Sequence, residues 1–297
     1  MSDPTVITTR PAGGATTSPA GPSVDAQVAQ PRPESWKNPG VATPTIVDDI
    51  TEQLAYRVAA GSYQPGELLP SVRQVAAEFG VSTPTANSAL GRLAALGFVE
   101  ARRGLGYLVR DIQLYGGIDT WRFMFRFAHR VPDRAARIFA DIIDVDHMLV
   151  MQALHAIAAD PRRYDMSRAV HALGRLELLV GDEKSELADI MAAELHMLRC
   201  VFAALGKPGY LSLFNTVGEM LISIPEAGQA FYDPVEPAGH VVLCRQLLEL
   251  WESKTEIELP ESDMIEILIR EYHDQVVQTF SELIGAKPAD PGAPDEP

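Results

Sequence analysis

Cysteine is nearly missing from this chain of 297 residues: Cys200 and Cys244 are the two it has. Two thiols in so long a chain make no disulfide framework, and they read as small buried hydrophobes in a reducing compartment. Positive charge is scarce as well. There are 25 lysines and arginines against 40 aspartates and glutamates, a net charge of −15, which excludes a uniformly basic nucleic-acid coat. No apolar run reaches the roughly 18 residues of a membrane helix, and no charged start leads into an apolar stretch. A spanning or secreted protein is therefore not expected, and a cytoplasmic one is. What remains is an ordinary globular composition, 46% hydrophobic and 22% charged, with length enough for two domains.

The charge is unevenly spread. Residues 1–43 hold three basic and three acidic side chains, seven prolines and no apolar period. Such a segment cannot bury enough surface to offset its ordering entropy, so a disordered arm is expected, with Trp36 as a loose contact. In residues 44–110, Arg57, Arg73, Arg92, Arg102, Arg103 and Arg110 balance six acidic residues. Beyond them stand 16 basic against 31 acidic residues, the whole of the net charge. A polyanion would be repelled by the last part and held only by the middle one. Residues 287–297 read as a second disordered tail.

The middle segment is densely punctuated. Ile46, Ile50, Leu54 and Val58 form a helical stripe that stops at Gly61. Ser71 followed by Gln74 is a capping-box pattern, opening a short helix that Gly80 ends. Ser82 caps a third helix with Pro84 in its first turn and Ala86, Ala89, Leu90, Leu93 and Leu96 on its apolar side. Short strands then flank Arg102-Arg103-Gly104-Leu105-Gly106, a glycine-bearing hairpin tip. Three helices and a basic hairpin are the plan of a winged helix-turn-helix.

Its polar residues suit DNA. Thr83, Thr85 and Asn87 lie opposite the leucine stripe, and Ser82 leaves free N–H groups at a helix N-terminus that can enter a major groove. Asn87 can read adenine bidentately, whereas Arg73, Arg102 and Arg103 suit phosphate or minor-groove contacts.

Residues 45–110 resemble the DNA-binding domain of the GntR family of bacterial regulators. The matching elements are Leu69-Pro70-Ser71-Val72-Arg73, Ala76, Phe79-Gly80-Val81-Ser82, Ala89-Leu90, Leu93, Leu96-Gly97 and Gly104-Leu105-Gly106-Tyr107. The family pattern has arginines where this chain has Thr83 and Asn87, which implies a different operator or a weaker grip.

The rest of the chain reads as helices: Asp119–Arg130, Asp133–Ala159, Asp165–Val180, Lys184–Leu205, Tyr210–Ile224, Val235–Lys254 and Ser262–Leu283. An antiparallel bundle of six or seven helices is expected. In the fourth, Leu187, Ile190, Met191, Leu195, Leu198, Val201, Phe202 and Leu205 make an inward stripe, and Glu194 falls in its phase. A carboxylate there must be paired, protonated or metal-bound. His240 is in phase with Cys244, Leu247 and Trp251, and His273 sits among Ile269, Val276, Val277 and Phe280. The three polar groups are expected to meet inside the bundle.

This region resembles the FadR type of effector domain, best through Leu198-Arg199 to Lys207-Pro208. In metal-containing relatives the ligands are an aspartate, a histidine four residues later and two histidines from later helices. The resemblance puts Glu194, His240 and His273 in three of those places and Leu198 in the fourth. It implies a divalent ion such as zinc at most weakly held, the alternative being a buried polar network. Relatives grip an organic acid with an arginine where this chain has Asp146, which would repel one. An acyl chain is the other effector in view, with Arg122, Arg126 and Arg130 either a solvated face or a grip on its headgroup.

The expectation is therefore a mainly helical protein in four parts: the arm 1–43, a winged helix-turn-helix over 44–110, a helical effector and dimerisation domain over 111–286, and the tail 287–297. Its function is read as a dimeric transcriptional regulator, a repressor in the first instance, on pseudo-palindromic double-stranded DNA. The effector pocket is placed at Asp146, Glu194, Leu198, His240 and His273. The rival classes are a metal-assisted hydrolase built on Glu194, His240 and His273, and an architectural DNA-binding protein with no effector. Residues 111–297 contain no nucleophile elbow, phosphate loop or His-Glu-x-x-His, which weighs against an enzyme.

Overall fold

The computed structural model describes residues 45–160, 163–252 and 259–287. The expected arm, with Trp36, and the tail from 288 onward lie outside them. Helix α1 (Ile46–Ala59) opens on a reciprocal cap: the Asp48 amide donates to the Thr45 hydroxyl at 3.2 Å, and the Asp48 carboxylate accepts from the Thr45 amide at 2.9 Å. Helix α2 (Val72–Phe79) repeats the device with Ser71 and Gln74. It ends on Gly80 at φ 64°, a left-handed position that costs any side chain strain. Helix α3 (Thr83–Ala95) follows α2 after a three-residue link, with Ser82 as cap and Pro84 in its first turn.

The wing is an antiparallel pair, β1 (Val99–Arg102) and β2 (Gly106–Val109), in the register Val99↔Val109 to Arg102↔Gly106. A third short segment joins it. Leu68 bridges Leu108, the Leu69 amide donates to the Tyr107 carbonyl, and the Val109 amide donates to the Glu67 carbonyl. This pairing ties the loop after α1 to the wing. The head closes over Ile50, Leu54, Val75, Leu90, Leu93 and Phe98, all fully buried.

Two short helices, α4 (Ile112–Tyr115) and α5 (Ile118–Met124), lead away from the wing, followed by a 3-10 turn over Phe125–Arg130. The single helix expected from Asp119 to Arg130 is thus broken, at Phe127 with φ −127° and ψ 29°. The break lets Phe123, Met124 and Phe127 turn into the head's core, which therefore draws on residues beyond the wing.

The remainder is a bundle of α6 (Pro132–Ala159), α7 (Ser167–Val180), α8 (Leu187–Ala204), α9 (Pro208–Ile222), α10 (Pro225–Tyr232), α11 (Pro237–Glu252) and α12 (Leu259–Ile284). The long partners α6 and α12 meet through Phe139 and Phe280, stacked at 3.8 Å, with the Phe125 ring edge-on to both. Helices α8 and α9 meet through Phe202 and Phe214, stacked at 4.4 Å. By length and hydropathy α6 qualifies as a membrane-crossing helix, against the sequence expectation, but half of that stretch is buried in the bundle. Helix α10 was not expected. Leu187, expected inward, is 43% exposed, because the buried stripe of α8 starts only at Ile190.

Candidate nucleic-acid interface and bundle interior

The head presents the N-terminus of α3 to solvent. The Ser82 hydroxyl accepts from the Thr85 amide at 3.3 Å and meets the Thr85 hydroxyl at 2.8 Å. Ala86, Ala89, Leu90 and Leu93 anchor the opposite face at zero exposure. Thr83 and Asn87 are exposed and Thr85 is half-buried. The Tyr107 hydroxyl, from β2, donates to Asn87 Oδ1 at 3.4 Å. That contact turns the two amide hydrogens of Asn87 outward, where adenine N7 would accept one.

The arginines divide by partner. Arg92 is paired with Asp48, Arg57 with Glu78 at 2.6 Å and Arg102 with Glu100 at 2.9 Å. Arg73, on the first turn of α2, and Arg103, at the wing tip, are exposed and have no ion pair among the described residues. Next to Arg103 stands Leu105, 69% exposed at the hairpin tip. An apolar side chain beside an arginine on a wing matches minor-groove insertion, and the sequence reading passed it over.

Arg126 and Arg130 are exposed and reach back toward the head, while Arg122 is half-buried. The Arg126 Nε donates to Glu52 at 3.0 Å, and the Arg130 guanidinium lies 3.5 Å over the Tyr56 ring, both partners on α1. Arg122 Nε is buried. Arg126 and Arg130 thus form an exposed face that contacts α1 of the head.

In the bundle, Glu194 and His240 meet as expected from their helical phases. His240 Nδ1 donates to Glu194 Oε1 at 2.8 Å, and the Tyr232 hydroxyl donates to Glu194 Oε2 at 2.8 Å. The Tyr232 phenol is held well above its ordinary pKa, by burial first and the Glu194 charge second. His240 Nε2 is buried and has no hydrogen-bond partner among the described residues. His273 turns elsewhere. Its Nδ1 faces His147 Nδ1 at 3.2 Å, so one ring donates to the other, and its Nε2 lies 3.9 Å from Asp146 Oδ2.

That last approach is not an ion pair at neutral pH, because His273 is in its uncharged form there. Burial, reinforced by Glu194, pushes the Asp146 carboxyl up to about 7. Burial, with His147 and Arg270 adding to it, pulls His273 down to about 4.

Asp146, Glu194 and Leu198 line one small cavity of about 40 Å³, closed by Met191, Leu195, Leu221, Phe231 and Tyr232. A space of that size holds on the order of three waters, far below the roughly 300 Å³ of a drug-sized ligand site, and no acyl chain. His147, on the same turn of α6 as Asp146, instead lines an open groove of about 460 Å³ with Asp144, Met148, His155, Glu266 and Arg270.

As a metal-ligand set Glu194, His240 and His273 do not fit. Both Glu194 oxygens are taken by His240 and Tyr232, and the described contacts of His273 are with His147, Asp146 and Tyr272. Leu198 puts an alkyl side chain on the cavity wall where a histidine was the family alternative. Among the described residues no three His, Cys, Asp or Glu side chains are grouped as a metal would require. The thiols of Cys200 and Cys244 are free, and burial raises the pKa of both.

Sequence reasoning missed His147, Tyr232 and Tyr272, whose hydroxyl donates to the Phe231 carbonyl at 2.8 Å. His147 had a signal: it stands four residues after Ile143 on the buried stripe of α6. Tyr232 had none, since its helix was not anticipated.

Comparison with known proteins places the likeness in the head. The profile of the gntR family of bacterial regulatory proteins matches residues 46–109. The HTH-type transcriptional regulator Mce2R of Mycobacterium tuberculosis (strain CDC 1551 / Oshkosh) is 42% identical over 83 residues, 28% of this chain and 35% of that protein. The uncharacterized HTH-type transcriptional regulator YieP of Escherichia coli (strain K12) is 30% identical over 107 residues, 35% of this chain and 41% of its own length. The chain thus spans well under half of either relative. Among solved structures, Lar, which controls the expression of the Listeria monocytogenes agr system, covers 82% of this chain and 96% of its own at 15% identity, with a TM-score of 0.44. Likeness at that level carries no functional weight.

Proposed function

With residues 46–109 matching the gntR family of bacterial regulatory proteins, we propose that this chain is a cytoplasmic transcriptional regulator of the FadR type. It binds double-stranded DNA as a homodimer, and a small molecule in the helical bundle modulates the binding. The observation that carries the reading is the exposed N-terminus of α3, with Ser82, Thr83, Thr85 and Asn87, beside a wing whose Arg103 is free of ion pairs among the described residues. A helix N-terminus offers bare N–H groups and a positive dipole end to phosphate, while Asn87 supplies base discrimination. Arg73 adds a phosphate contact from α2. The net charge of −15 confines DNA to this face, since the bundle repels it.

Two identical heads imply a two-fold site with half-sites about one helical turn, roughly 34 Å, apart. The regulatory arm of the reading rests on the contacts of Arg126, Arg130 and α6 with α1, which link the bundle to the head. Repression follows where the operator overlaps a promoter.

The test is selection of the full chain on a random duplex library, followed by anisotropy at several salt concentrations. A pseudo-palindromic consensus, a dimer by light scattering and a steep loss of affinity with salt are expected. A monomer with no sequence preference would overturn the reading.

A further inference from the structure

Helices α6 and α12 leave between them the open groove of about 460 Å³, within the roughly 300–1,000 Å³ of small-molecule sites. The closed cavity lined by Asp146 and Glu194 holds on the order of three waters. Of these two spaces, the groove is the one with room for an organic molecule.

Its charges are unspent. Glu266 and Arg270 stand one turn apart on α12 with the glutamate first, the order and spacing that ordinarily pair on a helix. They form no ion pair with each other or with any other described residue. Asp144 and Gln152, on the α6 wall, likewise make no side-chain hydrogen bond to a described residue. The charges converge on His147. Burial first and Arg270 second lower the pKa of that ring, while Glu266 and Asp144 act in the opposite sense. The ring is 5% exposed, and its Nδ1 faces His273. Its Nε2 is buried with no hydrogen-bond partner among the described residues, so the groove wall also holds an unspent polar atom. Met148, 53% exposed, and Met151 add an apolar lining of flexible thioethers.

A cation alone would be repelled by Arg270, and an anion alone by Glu266 and Asp144. A molecule with both charges on neighbouring atoms meets each with its opposite. We infer that the groove takes a small zwitterion of the α-amino acid class, its carboxylate on Arg270, its ammonium on Glu266 and an apolar side group against Met148 and Met151. The consequence for DNA binding rests on the regulator reading above; the chemistry of the site does not.

The experiment uses three probes that differ only in charge. L-norleucine carries both signs, and sodium hexanoate and n-pentylammonium chloride are the same skeleton without the ammonium or without the carboxylate. Each is titrated by calorimetry into the full-length wild-type protein at about pH 7.5, with melting temperature as a second reading. Norleucine is expected to bind saturably in the millimolar range and to raise the melting temperature, with the other two at least tenfold weaker. Arg270→Gln and Glu266→Gln, checked for folding by circular dichroism, are each expected to lose at least tenfold in norleucine affinity. Hexanoate or pentylammonium binding as well as norleucine, or no saturable norleucine binding up to 100 mM, would overturn the inference from wild type alone, whether or not the variants fold. Unchanged affinity in folded Arg270→Gln would overturn it too.

DNA binding by the same preparation separates the two readings. A protein that binds DNA but not norleucine refutes the ligand class and leaves the regulator standing. One that binds norleucine but no DNA does the reverse.

Discussion

Arg134, on the first turn of α6, donates from its Nη1 to the carbonyl of Ala59, the last residue of α1, at 2.6 Å. The bond joins the bundle to the head, and it caps a carbonyl that α1 itself cannot satisfy. Burial lowers the Arg134 pKa, with Arg137 adding to it, but leaves the guanidinium charged at any working pH. Arg134→Met is expected to destabilise the protein by about 1–2 kcal/mol, as loss of a half-buried charged hydrogen bond does. Urea unfolding followed by tryptophan fluorescence measures it. The same variant should weaken the response of DNA binding to any bundle ligand while leaving ligand affinity within a factor of about two, less than 0.5 kcal/mol.

Asn87→Ala is expected to relax discrimination at one base position by about 1–3 kcal/mol, seen as a flattened column in a site-selection profile. Tyr107→Phe should shift the same column by a smaller amount, because it frees the Asn87 amide to turn rather than removing it. Arg73→Ala and Arg103→Ala should instead weaken all sequences alike, and each should reduce the slope of log affinity against log salt by about one.

Asp146 gives a pH signature with a definite sign. Its carboxyl titrates near 7 in the folded protein, against about 3.9 unfolded. Between those values the folded chain keeps a proton that the unfolded chain has shed, so this group's contribution to stability falls as pH rises. Relative to wild type, Asp146→Asn should therefore gain about 1.4 kcal/mol per pH unit from about pH 4 to 7 and level off above. His273 works the other way. Its folded value of about 4 lies below the ordinary 6.5, so its contribution rises with pH across that window. Wild type holds both, and their slopes oppose; chemical denaturation at several pH values separates them.

Tyr232→Phe removes the donor to Glu194 Oε2 and leaves that oxygen under-satisfied in a largely buried site. A loss of about 1–3 kcal/mol is expected by calorimetric melting. Glu194→Gln should recover part of it in the double variant, since the neutral amide is cheaper to leave half-paired.

Sequence spacing made the head legible because its caps are local. Ser71 with Gln74, Ser82 with its first-turn neighbours and Gly80 each encode one turn of chain, and all three stand where three-residue spacing puts them. The wing's link to Leu68 was not legible, since pairing across some forty residues leaves no mark on either segment. In the bundle, helical phase puts Glu194, His240 and His273 together; the first two meet, but His273 faces His147 and Asp146 instead, because phase gives a face and not the partner that face meets. Helix α10 was missed although Pro225 opens it as Pro84 opens α3. The apolar pattern there is short, and its phase is carried by Ala227, Ala230 and Tyr232 rather than by leucines. For the arginines at 122, 126 and 130 the sequence leaves a solvated face and a headgroup grip open for the same kind of reason: the stripe is visible, but the partners of Arg126 and Arg130 on α1 are 70 or more residues away.

Helix α6 carries Asp146 in the cavity and Arg134 at the head on one uninterrupted rod. At about 1.5 Å of rise per residue, the twelve residue steps from one to the other make an arm of about 18 Å. A tilt of about 5° about the cavity end would carry the far end sideways by about 1.6 Å, more than the bond to Ala59 can stretch and survive. A ligand held at that end thus needs no large rearrangement to be felt at the DNA-binding surface. The length of a single helix multiplies a fraction of an ångström at one end into a broken grip at the other.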